Sequence, residues 1–446
     1  MESPRTRSDT NRWMMTDPLT FAVLLTVTTL ALALGFTDTE PAALFSAWGG
    51  ALSQLFAFTM QMALIIATAY ALAQTTLVNR LLLFIASCAD KPIKAYLLVI
   101  FTGAGFSLIS WPLGPITAAL VARKIATQAS RTGLAIHYPL LTAGGFGGFV
   151  VWEMGYSSSI ALAVASESNP TFEAIGRLIP IQETLLTWWN LAAIALTLGS
   201  VALTVLILHR RLAPQALFVP EDMVRPLAAM EEKAALEDDT LLPRIPSVFL
   251  AALILGYVGL WFSNNGVSLQ LDIVNWTFLG LGLLFARSLS QYSDHFADGA
   301  KVASPTLLQY PLYAGIMGIG VYSGLAENFT AWLVSISGAH SLPGIAFLSA
   351  GLINIFIPSG GAQWALQGPS FIEAAKHFGN DLGLISMAVA YGDQWTNLIQ
   401  PFTAIPILAL SGLRLRHLLS FSALICLVAT APLLGMLLIA NVMSLL

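Results

Sequence analysis

Residues 101–120 read FTGAGFSLISWPLGPITAAL, and residues 347–366 read FLSAGLINIFIPSGGAQWAL. Without a gap, 8 of the 20 positions are identical. Matches of Ala and Leu arise easily in apolar sequence, whereas a proline and a glycine shared at one offset do not. These shared positions are Pro112 with Pro358 and Gly114 with Gly360. Proline inside a helix removes a hydrogen-bond donor and breaks the helix, so each segment predicts a helix that is interrupted in the middle of an apolar stretch.

The whole chain has the composition of a membrane protein. Of its 446 residues, 56% are hydrophobic and 10% are charged, whereas about 25% of the residues in a soluble domain are charged. The net charge of −4 excludes a basic nucleic-acid binder, and the apolar content excludes a disordered chain. Long unbroken apolar runs also exclude a membrane barrel of alternating strands. We therefore predict an all-α polytopic membrane protein.

Several stretches approach the roughly 20 apolar residues that a membrane-crossing helix needs. They are 18–36, 51–73, 186–208, 247–263, 273–287, 305–325 and 418–444. The stretches 95–122 and 343–378, which contain the two quoted segments, predict re-entrant helical hairpins. The stretches 137–165 and 383–411 contain glycine, proline and polar residues, and each predicts a broken crossing helix.

The repeated segments divide the chain into two inverted repeats, at 1–208 and 264–446. A charged cytoplasmic linker, 209–246, and a connecting span, 247–263, separate them. This single span turns the second half over, so that one hairpin opens inward and the other outward. Inverted repeats with discontinuous helices around a midplane site are typical of secondary transporters. The alternative is a chance similarity between two membrane segments rich in Gly and Pro.

The distribution of charge supports this topology. With a cytoplasmic N-terminus and two re-entrant hairpins, the chain makes nine full crossings, and only Arg177 and Lys376 of its 20 basic residues lie outside. Simple crossings in place of the hairpins would scatter basic residues on both sides. Residues 1–36 could alternatively be a signal peptide. Their apolar stretch of about 19 residues exceeds the usual signal-peptide core, which favours a retained span.

The hairpin tips predict a binding site for an anion. The helix that follows each tip begins with free N–H groups and the positive end of its dipole. Arg287 and Lys376 lie at the ends of their predicted segments, and no Lys or Arg lies deeper in the membrane. Backbone N–H groups must therefore provide most of the binding. The alternative is that Pro and Gly merely shape the helix bundle. The predicted substrate-binding residues at the tips are Ser110, Trp111, Pro112, Gly114, Pro358, Ser359, Gly360, Gly361 and Gln363.

A second polar motif, YGDQWTN at 391–397, predicts an unwound segment beside the second hairpin. A carboxylate within a membrane is expensive, so Asp393 is a candidate carrier of a coupling proton, or else a helix cap. Asn354 and Thr396, with exposed carbonyls, could instead coordinate Na⁺. The coupling ion therefore stays open between H⁺ and Na⁺. The motif adds further candidates for the substrate site, which are Gln394, Trp395 and Asn397. Glu153 is the acid in the corresponding crossing of the first half.

Three motifs carry a resemblance to a known family. They are PSGGAQWALQGP at 358–369, AYGDQWTN at 390–397 and FTMQMALI at 58–65. The chain resembles the bacterial short-chain fatty acid transporters, which are acetoacetate and butyrate carriers, and through them the ion-transporter superfamily. The resemblance implies a scaffold domain, a moving domain with two hairpins, an elevator-type homodimer and a place in the bacterial inner membrane. Glu153 departs from the family pattern, in which this position is usually small and neutral.

We therefore expect a secondary transporter that imports small carboxylates by symport with H⁺ or Na⁺ and needs no other cofactor. The acyl chain would lie against Trp111, Trp364 or Trp395. The expected partners are this substrate, the coupling ion, the lipid bilayer and a second copy of the chain. Alternatives are a carrier of another organic anion such as a dicarboxylate, a channel, or an intramembrane enzyme. An enzyme would need a Ser/His, paired-Asp or HExxH arrangement at a shared membrane depth, and the sequence predicts none.

Overall fold

The computed structural model describes residues 18–167, 171–212, 244–266 and 269–445, and every regular element in these ranges is helical. The α-helices are α1 (Pro18–Phe36), α2 (Pro41–Ala51), α3 (Phe56–Gln74), α4 (Thr76–Ser87), α5 (Pro92–Ile109), α6 (Leu113–Thr132), α7 (Tyr138–Gly148), α8 (Ser159–Val164), α9 (Phe172–Ile175), α10 (Trp188–Leu212), α11 (Ile245–Asn265), α12 (Leu271–Phe285), α13 (Leu289–Tyr322), α14 (Leu325–Ser335), α15 (Leu342–Asn354), α16 (Gly360–Phe378), α17 (Leu382–Thr396), α18 (Pro401–Ser411) and α19 (Leu415–Leu445). Short 3₁₀ helices span Phe149–Met154, Ile181–Glu183 and Asn397–Ile399.

Proline and glycine set many of the helix ends. Helices α2, α5, α7, α11, α15 and α18 carry proline at one of their first two positions, where its missing N–H costs nothing. Helices α6, α16 and α18 end before Gly133, Gly379 and Gly412, whose φ angles are 71°, 76° and 70°. Glycine adopts this left-handed conformation without steric cost. The sequence thus terminates both hairpins at their open ends.

Six helices of the described ranges are long and apolar enough to cross a membrane, and they are α1, α3, α5, α10, α11 and α19. Large apolar side chains on them are exposed, among them Leu203, Leu253 and Leu427. A bilayer would cover these side chains, so their exposure agrees with several membrane crossings.

Helix α13 begins much earlier than the predicted span at 305–325. It starts at Leu289 and contains Pro305 and Pro311 in its interior. The apolar stretch marks only the later part of this helix, because α13 packs along α3, α2 and α1, and this packing holds the helix together through both prolines.

Two helical hairpins match the quoted segments. The first hairpin is α5 with α6, and the second hairpin is α15 with α16. Their tips are non-helical, at 110–112 (the first tip) and 355–359 (the second tip). Ser110 and Ser359 are both extended, with φ and ψ of −155° and 120° in the first and −151° and 104° in the second.

Two broken helices also occur. The first broken helix is α7, the 3₁₀ turn Phe149–Met154 and α8, and the second is α17, the 3₁₀ turn Asn397–Ile399 and α18. The predicted unwinding at 391–397 is wrong, because α17 continues to Thr396. The side chains of Tyr391, Gln394 and Thr396 find hydrogen-bond partners elsewhere in the fold without unwinding the helix. Helical geometry is lost at Gln400, since the proline that follows favours an extended residue before it.

Each broken helix packs closely on the first helix of its own hairpin through glycine. A Cβ atom on Gly392 would overlap the carbonyl oxygen of Phe347, and one on Gly148 would overlap that of Ile100. Small residues let two helix backbones approach each other in this way. The hairpin and the broken helix of each half are therefore in direct contact.

The inverted relation of the two halves and their domain bounds stay a prediction. The predicted linker at 209–246 lies largely outside the described residues, and the segment before α1 lies wholly outside them.

Candidate binding site

The two tips and the two broken helices meet around a cavity of about 530 Å³. Small-molecule sites commonly occupy roughly 300–1,000 Å³. None of the described residues that line the cavity is lysine, arginine or histidine. Its polar lining includes Ser110, Ser157, Ser158, Ser159, Gln270, Ser359, Asp393, Asn397 and Thr403, and its aromatic lining Phe58, Trp111, Phe149, Trp152, Tyr156 and Phe402.

The second tip presents an uncapped helix N-terminus to this cavity. Ser359 is the N-cap residue of α16, yet its side chain makes no capping hydrogen bond. Pro358, Ser359, Gly360 and Gly361 all line the cavity. The first N–H groups of a helix have no partner within the helix, and they lie at the positive end of its dipole. This end of α16 is therefore suited to a carboxylate.

The first tip offers fewer free N–H groups. Ser110 and Trp111 line the cavity. The N–H of Leu113 donates to the carbonyl oxygen of Ser110 at 3.0 Å, and Pro115 in the first turn of α6 has no N–H. The first tip therefore contributes mainly the Trp111 ring and the Ser110 hydroxyl.

Asp393 projects from α17 toward the second tip. Its side chain is 1% exposed and lines the cavity, and neither of its carboxylate oxygens has a hydrogen-bond partner. A Cβ atom on Gly360 would lie 3.4 Å from Oδ2 of Asp393. A buried carboxylate without a donor is rare in proteins, so this group needs a ligand or a proton to be satisfied.

Asn354 links the second hairpin to the second broken helix. Its Nδ2 lies 2.8 Å from the carbonyl oxygen of Asp393, 3.0 Å from Thr396 Oγ1 and 2.7 Å from Asn397 Oδ1. An amide nitrogen carries two hydrogens, so three oxygens compete for them. Asn397 also lines the cavity. Oxygen atoms gathered around one buried point are the ligands that a small cation prefers.

Comparison with known proteins decides the family. The family model described as "Short chain fatty acid transporter" matches residues 5–440. The chain belongs to this family. A protein of Escherichia coli (strain K12) named "Putative short-chain fatty acid transporter" is 36% identical over 424 residues, which cover 92% of this chain and 93% of that protein. A protein of Haemophilus influenzae (strain ATCC 51907 / DSM 11121 / KW20 / Rd) with the same name is 34% identical over 429 residues, which cover 93% and 94% of the two chains.

The protein is therefore a multi-pass membrane transporter of this family, and the resemblance inferred from its motifs is confirmed. That its relatives bear the names of transporters agrees with the prediction that it is no enzyme. Among solved structures, the YdaH transporter of Alcanivorax borkumensis is 17% identical, with a TM-score of 0.40 over 94% of this chain and 96% of that one.

Three residues predicted at the tips of this transporter lie behind the cavity. Pro112 is buried at the start of α6. A Cβ atom on Gly114 would overlap Ser107 Oγ, so this glycine lets α6 pack on α5. Gln363 is fully buried, and its Nε2 donates to the carbonyl oxygen of Ala350 at 2.7 Å. The contacts of Gly114 and Gln363 join the two helices of a hairpin.

Two residues predicted in the second broken helix also lie off the cavity. Gln394 Oε1 accepts the N–H of Glu153 at 2.8 Å, which links the two broken helices. Trp395 Nε1 donates to the carbonyl oxygen of Cys426 at 2.9 Å, and its ring stacks on Phe347 with the ring centroids 4.8 Å apart. These contacts position the second broken helix against α19 and the second hairpin.

The aromatic wall of the transporter was not predicted, apart from Trp111. Phe58 of α3 stacks between Trp111 and Phe402, with ring centroids 6.3 Å and 5.9 Å away. A phenylalanine in an apolar helix carries no sequence signal of its own. Only the family resemblance of the motif at 58–65 pointed to this part of α3.

Glu153 is the other site residue that the sequence left undecided. It is fully buried in the 3₁₀ turn of the first broken helix. The hydroxyls of Ser158 and Ser159 donate to its carboxylate, and the N–H of Ile160 lies 3.4 Å from Oε2. Three consecutive serines follow this acid at 157–159 in an apolar stretch. That pattern was the one sequence signal that Glu153 has hydrogen-bond donors near it.

Proposed function

We propose that this transporter imports short-chain fatty acids or related small monocarboxylates, such as acetoacetate and butyrate, by symport with H⁺ or Na⁺. The proposal rests chiefly on the uncapped N-terminus of α16, which opens at Gly360 and Gly361 into a cavity without basic residues among its described lining. An anion in this cavity would be bound by backbone N–H groups and small polar side chains.

The rest of the cavity wall suits a short acyl chain. Phe58, Trp111 and Phe402 form a stacked aromatic wall. Trp364 and Trp395, expected against the acyl chain, are not among the lining residues, and Trp364 Nε1 instead donates to Thr171 Oγ1 at 3.1 Å. The acyl chain would therefore contact the wall that contains Trp111.

A dicarboxylate fits this cavity less well. Its second carboxylate would need another group of donors, yet Phe58, Trp111 and Phe402 occupy the aromatic wall. An ionised carboxylate on that wall would lose its hydration without compensation. This contrast favours monocarboxylates.

The assembly and the mode of movement are also proposals. Both curated relatives come from bacteria, which supports a place in the bacterial inner membrane. The charge distribution supports a cytoplasmic N-terminus. An elevator-type homodimer follows from the family resemblance. In such a dimer the hairpins and broken helices would move together against a scaffold that includes α3.

Accumulation assays in proteoliposomes test the proposed function. We expect labelled butyrate to accumulate against its concentration gradient when a pH gradient or a Na⁺ gradient is imposed. A channel would only equilibrate the label, and an enzyme would change it chemically. Each buried methylene contributes about 0.8 kcal/mol, so affinity should rise roughly fourfold per carbon from acetate to butyrate. Absence of butyrate binding and uptake under every gradient would refute the proposed substrate class.

A further inference from the structure

Two buried carboxylates approach the same point of the second tip from the two broken helices. A Cβ atom on Gly360 would lie 2.7 Å from Glu153 Oε1 and 3.4 Å from Asp393 Oδ2. Glu153 is fully buried, and Asp393 is 1% exposed. The pair is therefore enclosed within the protein, and Asp393 reaches the cavity.

The two carboxylates differ in their hydrogen bonds. Glu153 accepts hydrogen bonds from the hydroxyls of Ser158 and Ser159, and the N–H of Ile160 points to it. Asp393 accepts none at either oxygen. Donors stabilise an ionised carboxylate, whereas a carboxylate without donors is better accommodated with a proton. The surroundings of Glu153 therefore favour its charged form, and those of Asp393 favour its protonated form.

No described cation neutralises the pair. Besides Glu153, two titratable groups lie near Asp393 on its own helix and on the helices packed against it, and both are neutral. They are Tyr391, whose hydroxyl donates to Asn190, and Cys426 in α19. The charged or ionisable groups on these helices lie toward their ends, at Glu373, Lys376 and His377 of α16, Asp381 at the start of α17, and Arg416 and His417 of α19. Those of α16 and α17 are twelve or more residues from Gly360 or Asp393, which corresponds to about 18 Å or more along a helix.

We propose that Asp393 binds the coupling proton and that Glu153 is the fixed negative charge that retains it. The proposal rests on the transport function proposed above and names H⁺ as its coupling ion. The proton comes from water in the cavity and forms an O–H bond at a carboxylate oxygen of Asp393. It leaves to water on the other side of the membrane, and no other bond forms or breaks.

This arrangement also sets the order of binding. An ionised carboxylate only accepts hydrogen bonds, whereas a protonated one also donates one. Glu153 is not among the described lining residues and is held by the hydroxyls of Ser158 and Ser159, and its charge acts on a substrate carboxylate equally at every pH. Ionised Asp393 would add a second repelling charge beside the N–H groups of Gly360 and Gly361, whereas protonated Asp393 would donate a hydrogen bond to the substrate. The proton therefore binds first, and one proton accompanies each monocarboxylate.

Binding of labelled butyrate to the purified full-length protein tests this order over a pH range in which butyrate stays ionised. In the wild type we expect the Kd to rise about tenfold per pH unit above a midpoint, as one obligatory proton requires. Asp393→Asn should lose this dependence, because its amide donates at every pH. Glu153→Gln should move the rise to lower pH. Asp393→Glu should retain the pH dependence of the Kd. Glu373→Gln, at the far end of the second hairpin, should leave that dependence unchanged.

Transport provides a second readout. Asp393→Asn should retain exchange of butyrate across proteoliposome membranes and lose accumulation driven by a pH gradient. A wild-type Kd that is independent of pH, or identical pH curves for the wild type and Glu153→Gln, would overturn the proposal. So would accumulation that depends on Na⁺ and not on the pH gradient, although transport of carboxylates would then stand.

An infrared titration separates failure of this proposal from failure of the proposed substrate. The carbonyl band of a protonated carboxyl can be followed in the substrate-free protein. We expect a band that is absent from Asp393→Asn and that disappears at lower pH in Glu153→Gln. If this band behaves so while butyrate fails to bind, the proton site stands and the substrate class is wrong. A band that neither variant alters would overturn the proton site.

Discussion

Gly360 is the residue around which the two halves of the site converge. A Cβ atom there would overlap Ser159 Oγ and lie 2.7 Å from Glu153 Oε1, whereas a Cβ atom on Gly361 would meet open space. We therefore expect Gly360→Ala to lower butyrate uptake at least about tenfold, equivalent to ~1.4 kcal/mol, and Gly360→Val to abolish it. Initial uptake rates in proteoliposomes with matched protein content measure the effect.

Gly361→Ala is the matched control, since it adds the same methyl group one position along α16. It should retain uptake within roughly threefold of the wild type, which is less than 1 kcal/mol. Both variants should elute from gel filtration as the wild type does. Normal uptake by Gly360→Ala would show that the substrate and the carboxylates do not depend on close approach to this backbone.

At the scale of the element, the uncapped N-terminus of α16 contrasts with that of α17. Asp381 caps α17 by accepting the N–H of Leu384 at 2.7 Å, whereas Ser359 caps nothing. In Ser359→Asp, a carboxylate at the N-cap would occupy the N–H groups that we assign to the substrate. We expect the KM for butyrate to rise at least about tenfold, equivalent to ~1.4 kcal/mol. Concentration-dependent uptake measures this change.

Asp381→Ala serves as the comparison, because it removes a cap far from the cavity. It should lower the free energy of unfolding by about 1 kcal/mol and leave the KM unchanged. Thermal unfolding in detergent and uptake kinetics separate the two effects. An unchanged KM in Ser359→Asp would mean that the substrate carboxylate binds elsewhere in the cavity.

At the scale of the whole molecule, the elevator proposal requires the second broken helix to move past α3. Phe402 and Phe58 are stacked across this boundary, with ring centroids 5.9 Å apart. In a background without Cys88 and Cys426, the double variant Phe58→Cys/Phe402→Cys should still transport under reducing conditions, with a raised KM because both rings belong to the acyl-chain wall. A short bifunctional thiol reagent should then abolish uptake, and a reductant should restore it. Uptake of labelled butyrate before and after cross-linking is the measurement.

Phe347→Cys/Trp395→Cys is the matched pair within the moving unit, since these rings are 4.8 Å apart between the second hairpin and the second broken helix. Cross-linking this pair should leave uptake unchanged. Full uptake after cross-linking Phe58→Cys to Phe402→Cys would refute movement across this boundary.

The sequence predicted most of the helix breaks because their causes are local. Proline at positions 112 and 401 removes a donor and restricts the preceding residue, and both breaks appear there. The polar run at 391–397 misled the prediction, since polar side chains suggested unwinding. Apart from Asp393, these polar side chains are satisfied by Asn354 and other distant groups while the helix stays intact. Partners that lie 40 or more residues away in the chain leave no local pattern.

Composition, proline and glycine positions and the family motifs by themselves determined that this protein is a helical membrane transporter with two hairpins. These properties depend on local backbone chemistry and on the cost of placing charge in a bilayer. Only the tertiary structure decided which predicted residues reach the cavity, that the two tips differ in their free N–H groups, and that Glu153 meets Asp393 beside Gly360. Such contacts arise where helices from both halves cross, so they depend on packing across the whole molecule.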